Sequence, residues 1–185
     1  MKIEERVLLK EIDESELELI LNWRNQKQIR EVMFNSDLIS YEQHLIWYER
    51  LQESNTTLSR IFYFDNIPHG VINIHEIDYK NKKCKWGFYI GNREAPKGMG
   101  TILGYTALNY IFIDLEMRKL CAEVLDFNKR SIHYHKKLGF IEEGQLRSHI
   151  RKNGQYMDVL LFGLFNHERE KKLPLIRMEI EARLL

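Results

Sequence analysis

Three segments of alternating apolar and polar residues follow one another between residues 58 and 91. They read SRIFYFD, VINIHEI and CKWGFYIG, and the short turns NIPHG and NKK separate them. A two-residue period rich in β-branched and aromatic side chains predicts strands, and the short turns predict antiparallel hairpins. The chain is therefore expected to fold around a sheet. Four residues of the last strand are expected on one face: Cys84, Trp86, Phe88 and Ile90.

Two helices are predicted before these strands. SELELILNWRN has apolar side chains at helical spacing, with Ser15 as its expected N-cap. SYEQHLIWYERLQ begins with Ser40 and has Gln43 three residues later, which is the capping-box pattern. Three residues are expected on the inner face of this second helix: Leu45, Tyr48 and Leu51.

Strands and helices alternate in the second half of the chain. KLCAEVL is a predicted strand, NKRSIHYHKKLGF a short helix with Gly139 as its C-cap, and residues 140–164 a long hairpin that turns at Asn153-Gly154. RVLLKEI adds a first strand. The order predicts an α/β (α+β) fold with one mixed, mostly antiparallel sheet and helices on both faces. We expect one domain over residues 1–166, with 167–185 as its helical tail.

Composition excludes several classes of function. The formal net charge is +1, so no overall field attracts nucleic acid or an acidic membrane. The longest apolar-rich run, 102–115, is too short and too polar to span a bilayer, and no leader-like stretch precedes it. Cys84 and Cys121 are the only cysteines, too few for a disulfide framework or a zinc cluster. A cytoplasmic protein without a metal is expected.

The segment PKGMGTILGY places glycines where a helix begins. Glycine weakens a helix interior by about 1 kcal/mol relative to alanine, so its presence needs a reason. The first amides of a helix lack partners within the helix, and the helix dipole is positive there. Gly98 and Gly100 let a phosphate approach those amides, and Lys97 adds a cation. The spacing matches neither the dinucleotide fingerprint nor the P-loop, and an ordinary tight turn is the alternative.

These segments together resemble the GCN5-related N-acetyltransferase (GNAT) family. WGFYIG, APKGMGT, KLCAEVL and the Asn and Leu-Gly-Phe of NKRSIHYHKKLGF occur in the order that the family shows. In that family the glycine loop holds the pyrophosphate of acetyl-CoA, although Ala95 stands here where the loop usually has Gln or Arg. The resemblance implies the GNAT fold and an acetyl-CoA-dependent N-acetyltransferase.

The resemblance also implies where acetyl-CoA binds. Strand residues next to the glycine loop are expected to splay from their neighbour, to contact the pantetheine arm and to offer an N–H to the tetrahedral oxyanion. Gly87 is compatible with a bulge there. Asn128 matches the position that bonds the pantetheine arm, and it is also a candidate N-cap. The residues assigned to acetyl-CoA are Phe88, Tyr89, Ile90, Lys97, Gly98, Met99, Gly100, Thr101, Asn128, Lys129 and Ser131.

Two residues compete for the role of the acid that protonates the leaving thiolate. The family often has a tyrosine four residues before the glycine of Leu-Gly-Phe, and that register gives His135 here, with Tyr134 one residue earlier. One helical step rotates a side chain by about 100°, so the two cannot face the sulfur equally, and the register favours His135. His75 and Glu76 are candidate bases, His149 is a weaker one, and water alone is the alternative.

The acceptor is the finest inference from the resemblance. NWRN, SYEQHLIW, GVINIHEID, WGFYIG and GQYMDVLLFGL resemble the branch that acetylates the 4-amino group of UDP-4-amino-4,6-dideoxy-N-acetyl-β-L-altrosamine in pseudaminic acid synthesis for flagellin glycosylation. Arg24 suits the diphosphate because guanidinium forms paired charge-assisted bonds, and Met33, His44 and Trp47 are expected to line the nucleoside pocket. The alternatives are a ribosomal-protein-type N-terminal or polyamine acetyltransferase, and a non-catalytic acyl-CoA-binding module. A homodimer is left open.

Overall fold

Seven strands form one sheet in the computed structural model, which describes residues 2–184. The sheet order is β1-β2-β3-β4-β5-β7-β6, and every neighbouring pair is antiparallel except β4 and β5. The mixed, mostly antiparallel sheet is therefore confirmed. The strands are β1 (Val7–Glu11), β2 (Leu58–Phe64), β3 (Ile67–Asp78), β4 (Lys83–Ile90), β5 (Lys119–Leu125), β6 (Ile141–Lys152) and β7 (Gln155–Phe165).

Helices cover both faces of the sheet, as the sequence predicts. In residues 2–184 they are α1 (Leu17–Arg24), α2 (Lys27–Arg30), α3 (Tyr41–Glu53), α4 (Met99–Asn109), α5 (Lys129–Leu138) and α6 (Asn166–Leu184). One core joins α4 and α6 to the face that carries Trp86 and Phe88. A smaller core joins α1, α2 and α3 to the opposite face, which carries Tyr89. No helix within residues 2–184 has the length and hydrophobicity needed to cross a membrane.

Local signals set several boundaries correctly. Ser40 and Gln43 form the reciprocal capping box of α3, with Gln43 donating its amide to Ser40 Oγ over 3.2 Å. The β6–β7 hairpin turns at Asn153 and Gly154, whose φ angles of 51° and 81° suit a type I′ turn. Gly139 ends α5 in the left-handed region with φ 99°.

Three local expectations are wrong. Asp13, not Ser15, caps the turn before α1, because its carboxylate accepts the Ser15 amide over 2.9 Å. The β2–β3 turn is at Asp65-Asn66, both with positive φ, so most of NIPHG lies inside β3. Leu45 is exposed on α3, and His44 is buried in its place.

Candidate functional site

A slot of about 360 Å³ opens where β4 and β5 separate. The two strands pair only over Lys83–Lys85 and Lys119–Cys121, so the rest of each strand has a neighbour on one side alone. The separation expected at residues 88–90 is thus present, and Phe88, Tyr89 and Ile90 line the slot. Gly87, which was compatible with a bulge, does not form one, because β3 and β4 stay in register there and the irregularity lies on β3 near Glu76.

The glycine loop lies at the start of α4. Gly98 is its N-cap with φ 100°, a conformation that favours glycine. In residues 2–184 the amides of Lys97, Gly98 and Gly100 have no hydrogen-bond acceptor, whereas Met99 donates its amide to Pro96 and Thr101 donates to Gly98. Of the five residues 97–101 assigned to acetyl-CoA, three therefore have backbone amides available to an anion. The Met99 side chain is in the core.

Cations surround this loop from two other elements. The Arg183 guanidinium of α6 lies 3.4 Å from the position that a Cβ on Gly98 would take. Lys137 of α5 donates to Thr101 Oγ1 over 3.3 Å. Both cations are also paired with Glu179 over 2.7 Å, so the three unpartnered amides are the groups that best suit the phosphates of a nucleotide-linked cofactor.

The first turn of α5 forms one wall of the slot. Asn128 and Ser131 line it, as expected, and Asn128 also caps the helix by accepting the Ser131 amide over 3.1 Å. Lys129 is not among the lining residues, because its side chain turns back to the Asp126 carbonyl over 2.8 Å. Arg130 lines the slot in its place, a residue that the sequence argument missed.

Tyr134 lies across the slot from the strand that carries Phe88. The two rings pack with centroids 4.8 Å apart, and the Tyr134 hydroxyl donates to the Gly100 carbonyl over 2.6 Å. Burial raises the pKa of this phenol above its usual value near 10. The hydroxyl therefore keeps its proton at neutral pH, and Tyr134 is one of the residues that line the slot.

His135 also borders the slot, but it is set into the aromatic core. It is 3% exposed, it stacks on Phe162 with centroids 5.7 Å apart, and it contacts Trp86 edge-on. Its Nδ1 lies 2.8 Å from the Ser131 carbonyl, which only accepts, so Nδ1 carries the proton. Burial lowers the pKa of the imidazole to about 4, which leaves Nε2 without a proton at neutral pH.

A second cavity of about 500 Å³ lies on the opposite face of the sheet, among α1, α3 and β3. Arg24, His44 and Trp47 line it, as expected. Met33 does not, because it borders the slot instead. Tyr89 contributes to both cavities, so the two spaces meet at this residue of β4. The sequence argument missed Asn35, Asp37, Arg50 and Asn73, which also line the cavity.

Arg24 is only partly satisfied in this cavity. Its Nη2 donates to the Asn35 carbonyl over 2.9 Å, but Nη1 is buried and has no hydrogen-bond partner among residues 2–184. Burial lowers the pKa of Arg24, and Arg30 lowers it further. Lys152 from the β6–β7 hairpin is 5% exposed and donates to the Met33 carbonyl over 2.7 Å, and burial followed by Arg24 lowers its pKa. These three cations crowd one side of the cavity.

His44 and Trp47 give the cavity an aromatic wall. Their rings stack with centroids 4.8 Å apart. Burial lowers the pKa of His44, and its Nε2 has no partner within the described residues 2–184. A neutral imidazole and an indole in this arrangement suit a planar, uncharged group of a ligand.

The expected bases are not at either cavity. His75 and Glu76 lie at the irregular end of β3, and His149 is exposed on β6; none of the three is among the lining residues. The carboxylate that does line the slot is Glu123 of β5. The sequence argument missed Glu123, although it is the one acidic residue of the predicted strand KLCAEVL and could have been noticed for that reason. No group of three or more His, Cys, Asp or Glu side chains in residues 2–184 has metal-binding geometry.

Comparisons with known proteins agree with this architecture. A family profile described as "Acetyltransferase (GNAT) domain" matches residues 9–161. An uncharacterized N-acetyltransferase of the SPbeta prophage in Bacillus subtilis, YokL, is 33% identical over 67% of this chain and 70% of its own length. Acetyltransferase PseH of Campylobacter jejuni strain 81-176 is 28% identical over 70% of this chain and 80% of its own length.

A solved structure shares the fold. The crystal structure of spermidine N-acetyltransferase from Vibrio cholerae, in complex with CoA and spermine, superposes with a TM-score of 0.83 at 23% identity. The match covers 90% of this chain and 99% of that one. The similarity therefore extends over nearly the whole chain.

Proposed function

Because this chain belongs to the GNAT acetyltransferase family, we propose that it transfers an acetyl group to the 4-amino group of a UDP-linked amino sugar. The chain is an N-acetyltransferase, and its acetyl donor is acetyl-CoA. The similarity to PseH and the five segments of the pseudaminic acid branch support the sugar nucleotide. The reaction proposed is direct attack of the amine on the thioester, through a tetrahedral intermediate.

The observation that carries the acceptor is the Arg24 guanidinium, whose Nη1 has no hydrogen-bond partner among residues 2–184. A buried donor without an acceptor is costly, by about 1–3 kcal/mol and more for a charged group, so a ligand that supplies an anion gains that energy on binding. A diphosphate offers paired acceptor oxygens to such a fork. Arg24 lines the cavity, and its Nη1 atom is buried without a partner. The stacked His44 and Trp47 rings give a nucleobase an aromatic wall.

A polyamine is the competing acceptor, since the similar Vibrio cholerae enzyme is a spermidine N-acetyltransferase. Charge argues against it in this chain. The charged residues that line the cavity are Arg24, Arg50 and Asp37, and the cations Arg30 and Lys152 stand close behind Arg24. Asp37 and Glu31 both act on Lys152, so four cations stand against two acids here, and a polycation would place its own charges beside this positive excess.

Acetyl-CoA would bind in the slot. The free amides of Lys97, Gly98 and Gly100 would hold its phosphates, with Asn128 and Ser131 beside the pantetheine arm. We propose Tyr134, rather than His135, as the acid for the thiolate. Tyr134 holds a proton at neutral pH, whereas the Nε2 atom of His135 does not.

Steady-state acetylation with a panel of amines tests the acceptor. UDP-4-amino-4,6-dideoxy-N-acetyl-β-L-altrosamine is expected to be turned over at a higher kcat/KM than spermidine or an N-terminal ribosomal peptide. Arg24→Met should raise the KM for the UDP sugar about 10-fold or more, the loss of a charge-assisted bond. Arg177→Met is the matched control. Arg177 lies on α6, where it pairs with Glu181 of the same helix and with Glu4 near the start of the chain.

Three outcomes contradict parts of this assignment. Preference for spermidine overturns the sugar nucleotide, and preference for the peptide places the enzyme among ribosomal-type acetyltransferases. Binding of acetyl-CoA without turnover of any amine would make the chain a non-catalytic acyl-CoA-binding module.

A further inference from the structure

Glu123 lies where the sheet opens. Lys85 and Cys121 form the last pair between β4 and β5, and Glu123 is two residues beyond Cys121. The cavity of about 500 Å³ lined by Arg24 is called the acceptor cavity below. Alternation along a strand places Glu123 on the same face of the sheet as Cys121, and the acceptor cavity lies on that face. Glu123 is also a lining residue of the slot. One carboxylate therefore borders the slot from the acceptor side.

A lysine holds this carboxylate in place. Lys85 Nζ lies 2.6 Å from Glu123 Oε1 and 3.0 Å from Glu76 Oε1. His75 stands beyond them, with Nδ1 3.8 Å from Glu76 Oε1, and burial lowers the pKa of this imidazole. The residue opposite Glu123 on β7 is the apolar Leu161. Lys85 therefore bridges the two carboxylates and fixes where the Glu123 carboxylate lies.

Gly87 lies on β4 two residues before Tyr89, which lines both cavities. It pairs across the sheet with Asn73, which lines the acceptor cavity, while Gly87 itself lines the slot. Alternation puts Gly87 on the face of Lys85 and Tyr89. A Cβ built on Gly87 would meet no atom within 4 Å. The face of Gly87 is therefore free of other atoms on the side where its side chain would lie.

We propose that Glu123 is the catalytic base that takes a proton from the acceptor ammonium, and that the bare face of Gly87 is the path by which the amine reaches it. The proposal rests on the proposed acetyl transfer within the slot. It applies to an amine of either proposed acceptor class, the UDP-amino sugar or the polyamine, and it does not depend on the contact proposed between Arg24 and a diphosphate. It also assigns roles to the expected bases, since Glu76 and His75 act on Glu123 through Lys85 and do not touch the amine.

The protons and electron pairs balance in this scheme. One proton passes from the ammonium to the Glu123 carboxylate, which leaves a nitrogen lone pair. That pair forms the C–N bond with the acetyl carbonyl carbon, and the C–S bond breaks with its electrons on sulfur. The thiolate takes a proton from the Tyr134 hydroxyl. The second proton leaves the nitrogen as the amide forms and passes through water to restore the Tyr134 phenol, and Glu123 releases its proton to solvent, so that one proton is released in each turnover.

Glu123→Gln tests the base. With saturating acetyl-CoA at pH 7, its kcat should be about 10²-fold lower than that of the unmodified protein, within the range for removal of a general base. The deficit should shrink steadily as the pH rises toward the pKa of the acceptor amine, because solvent then removes the proton. Glu123→Asp should recover part of the rate. The Kd for acetyl-CoA, measured by calorimetry, should not change.

Glu143→Gln is the matched control. Glu143 forms a similar carboxylate–lysine pair with Lys119 over 2.7 Å, outside both cavities. It should retain full activity at every pH. These assays use whichever amine the unmodified protein acetylates. An error in the proposed acceptor would therefore appear in the steady-state comparison of amines, whereas an error in the proposed base would appear in the ratio of kcat between Glu123→Gln and the unmodified protein.

Two results would overturn the proposal. A ratio between Glu123→Gln and the unmodified protein that stays constant with pH denies Glu123 a role in proton removal. A loss of acetyl-CoA binding in Glu123→Gln places the residue in donor binding instead. Gly87→Leu adds an independent check of the path: it should abolish transfer while the protein stays folded, and unchanged kcat contradicts the passage.

Discussion

His135 links the stability of the fold to pH, and the size of that link follows from its surroundings. The imidazole is 3% exposed and is enclosed by Trp86, Phe140 and Phe162. Burial lowers its pKa from 6.5 to about 4 in the folded chain. The unfolded chain therefore binds a proton at a pH where the folded chain does not, and acidification favours unfolding.

The contribution is fully present above pH 6.5 and is lost as the pH falls toward 4, where both states become protonated. A depression of this size amounts to about 3 kcal/mol in total, of which about 2 kcal/mol is lost between pH 8 and pH 5. We expect the free energy of unfolding to fall by that amount from this one residue. Other groups add their own pH dependence, so a comparison of two proteins is needed.

His135→Leu removes the titrating group while keeping a similar side-chain volume. Urea unfolding followed by circular dichroism at pH 8 and pH 5 gives the free energy of unfolding for both proteins. The decrease between the two pH values should be about 2 kcal/mol smaller in His135→Leu. An equal decrease in both proteins would refute the buried, neutral imidazole and with it the argument against His135 as the acid.

Two further predictions concern the slot. Tyr134→Phe should lower kcat about 10²-fold with acetyl-CoA saturating, while His135→Leu keeps kcat within a few fold; the reverse pattern would restore the register argument for His135. Gly98→Ala should weaken acetyl-CoA binding about 10-fold by calorimetry, because a φ of 100° costs a residue with a Cβ about 1–2 kcal/mol and relaxation moves the free amides. An unchanged Kd would remove the phosphates from this loop.

Signals contained within a few residues predicted structure well. The capping box of Ser40 and Gln43 and the Asn153-Gly154 turn each depend on neighbours in the chain, so composition at fixed spacing was sufficient. Period-two alternation likewise placed Trp86 and Phe88 on one face. The errors arose where two local patterns competed. Asp13 and Ser15 both suit a cap, and the carboxylate of Asp13 is the acceptor in the fold.

The site was predicted less completely because it is assembled from distant segments. Lys152 reaches the Met33 carbonyl across 119 positions of sequence, and Glu123 meets Lys85 only because β5 lies beside β4. Met33 was expected at the acceptor and borders the slot, since the chain after α2 passes between the two cavities. On α5 the family resemblance pointed to His135 as the acid by its position in the sequence. Burial lowers the pKa of His135, however, so its neighbour Tyr134 is the one that holds a proton to donate at neutral pH.

The short pairing of β4 with β5 has a consequence for how the fold opens. Only three residue pairs join the two halves of the sheet among residues 2–184, from Lys83–Lys119 to Lys85–Cys121. Beyond them, two interior edges present backbone groups that no strand satisfies. Amide hydrogens along 86–90 and 122–125 that point into this gap should exchange with solvent through small local openings, well before the rest of the sheet. Acetyl-CoA bound in this gap would contact both strands, so the concentration of acetyl-CoA in the cell would set how often the two halves of the sheet open locally.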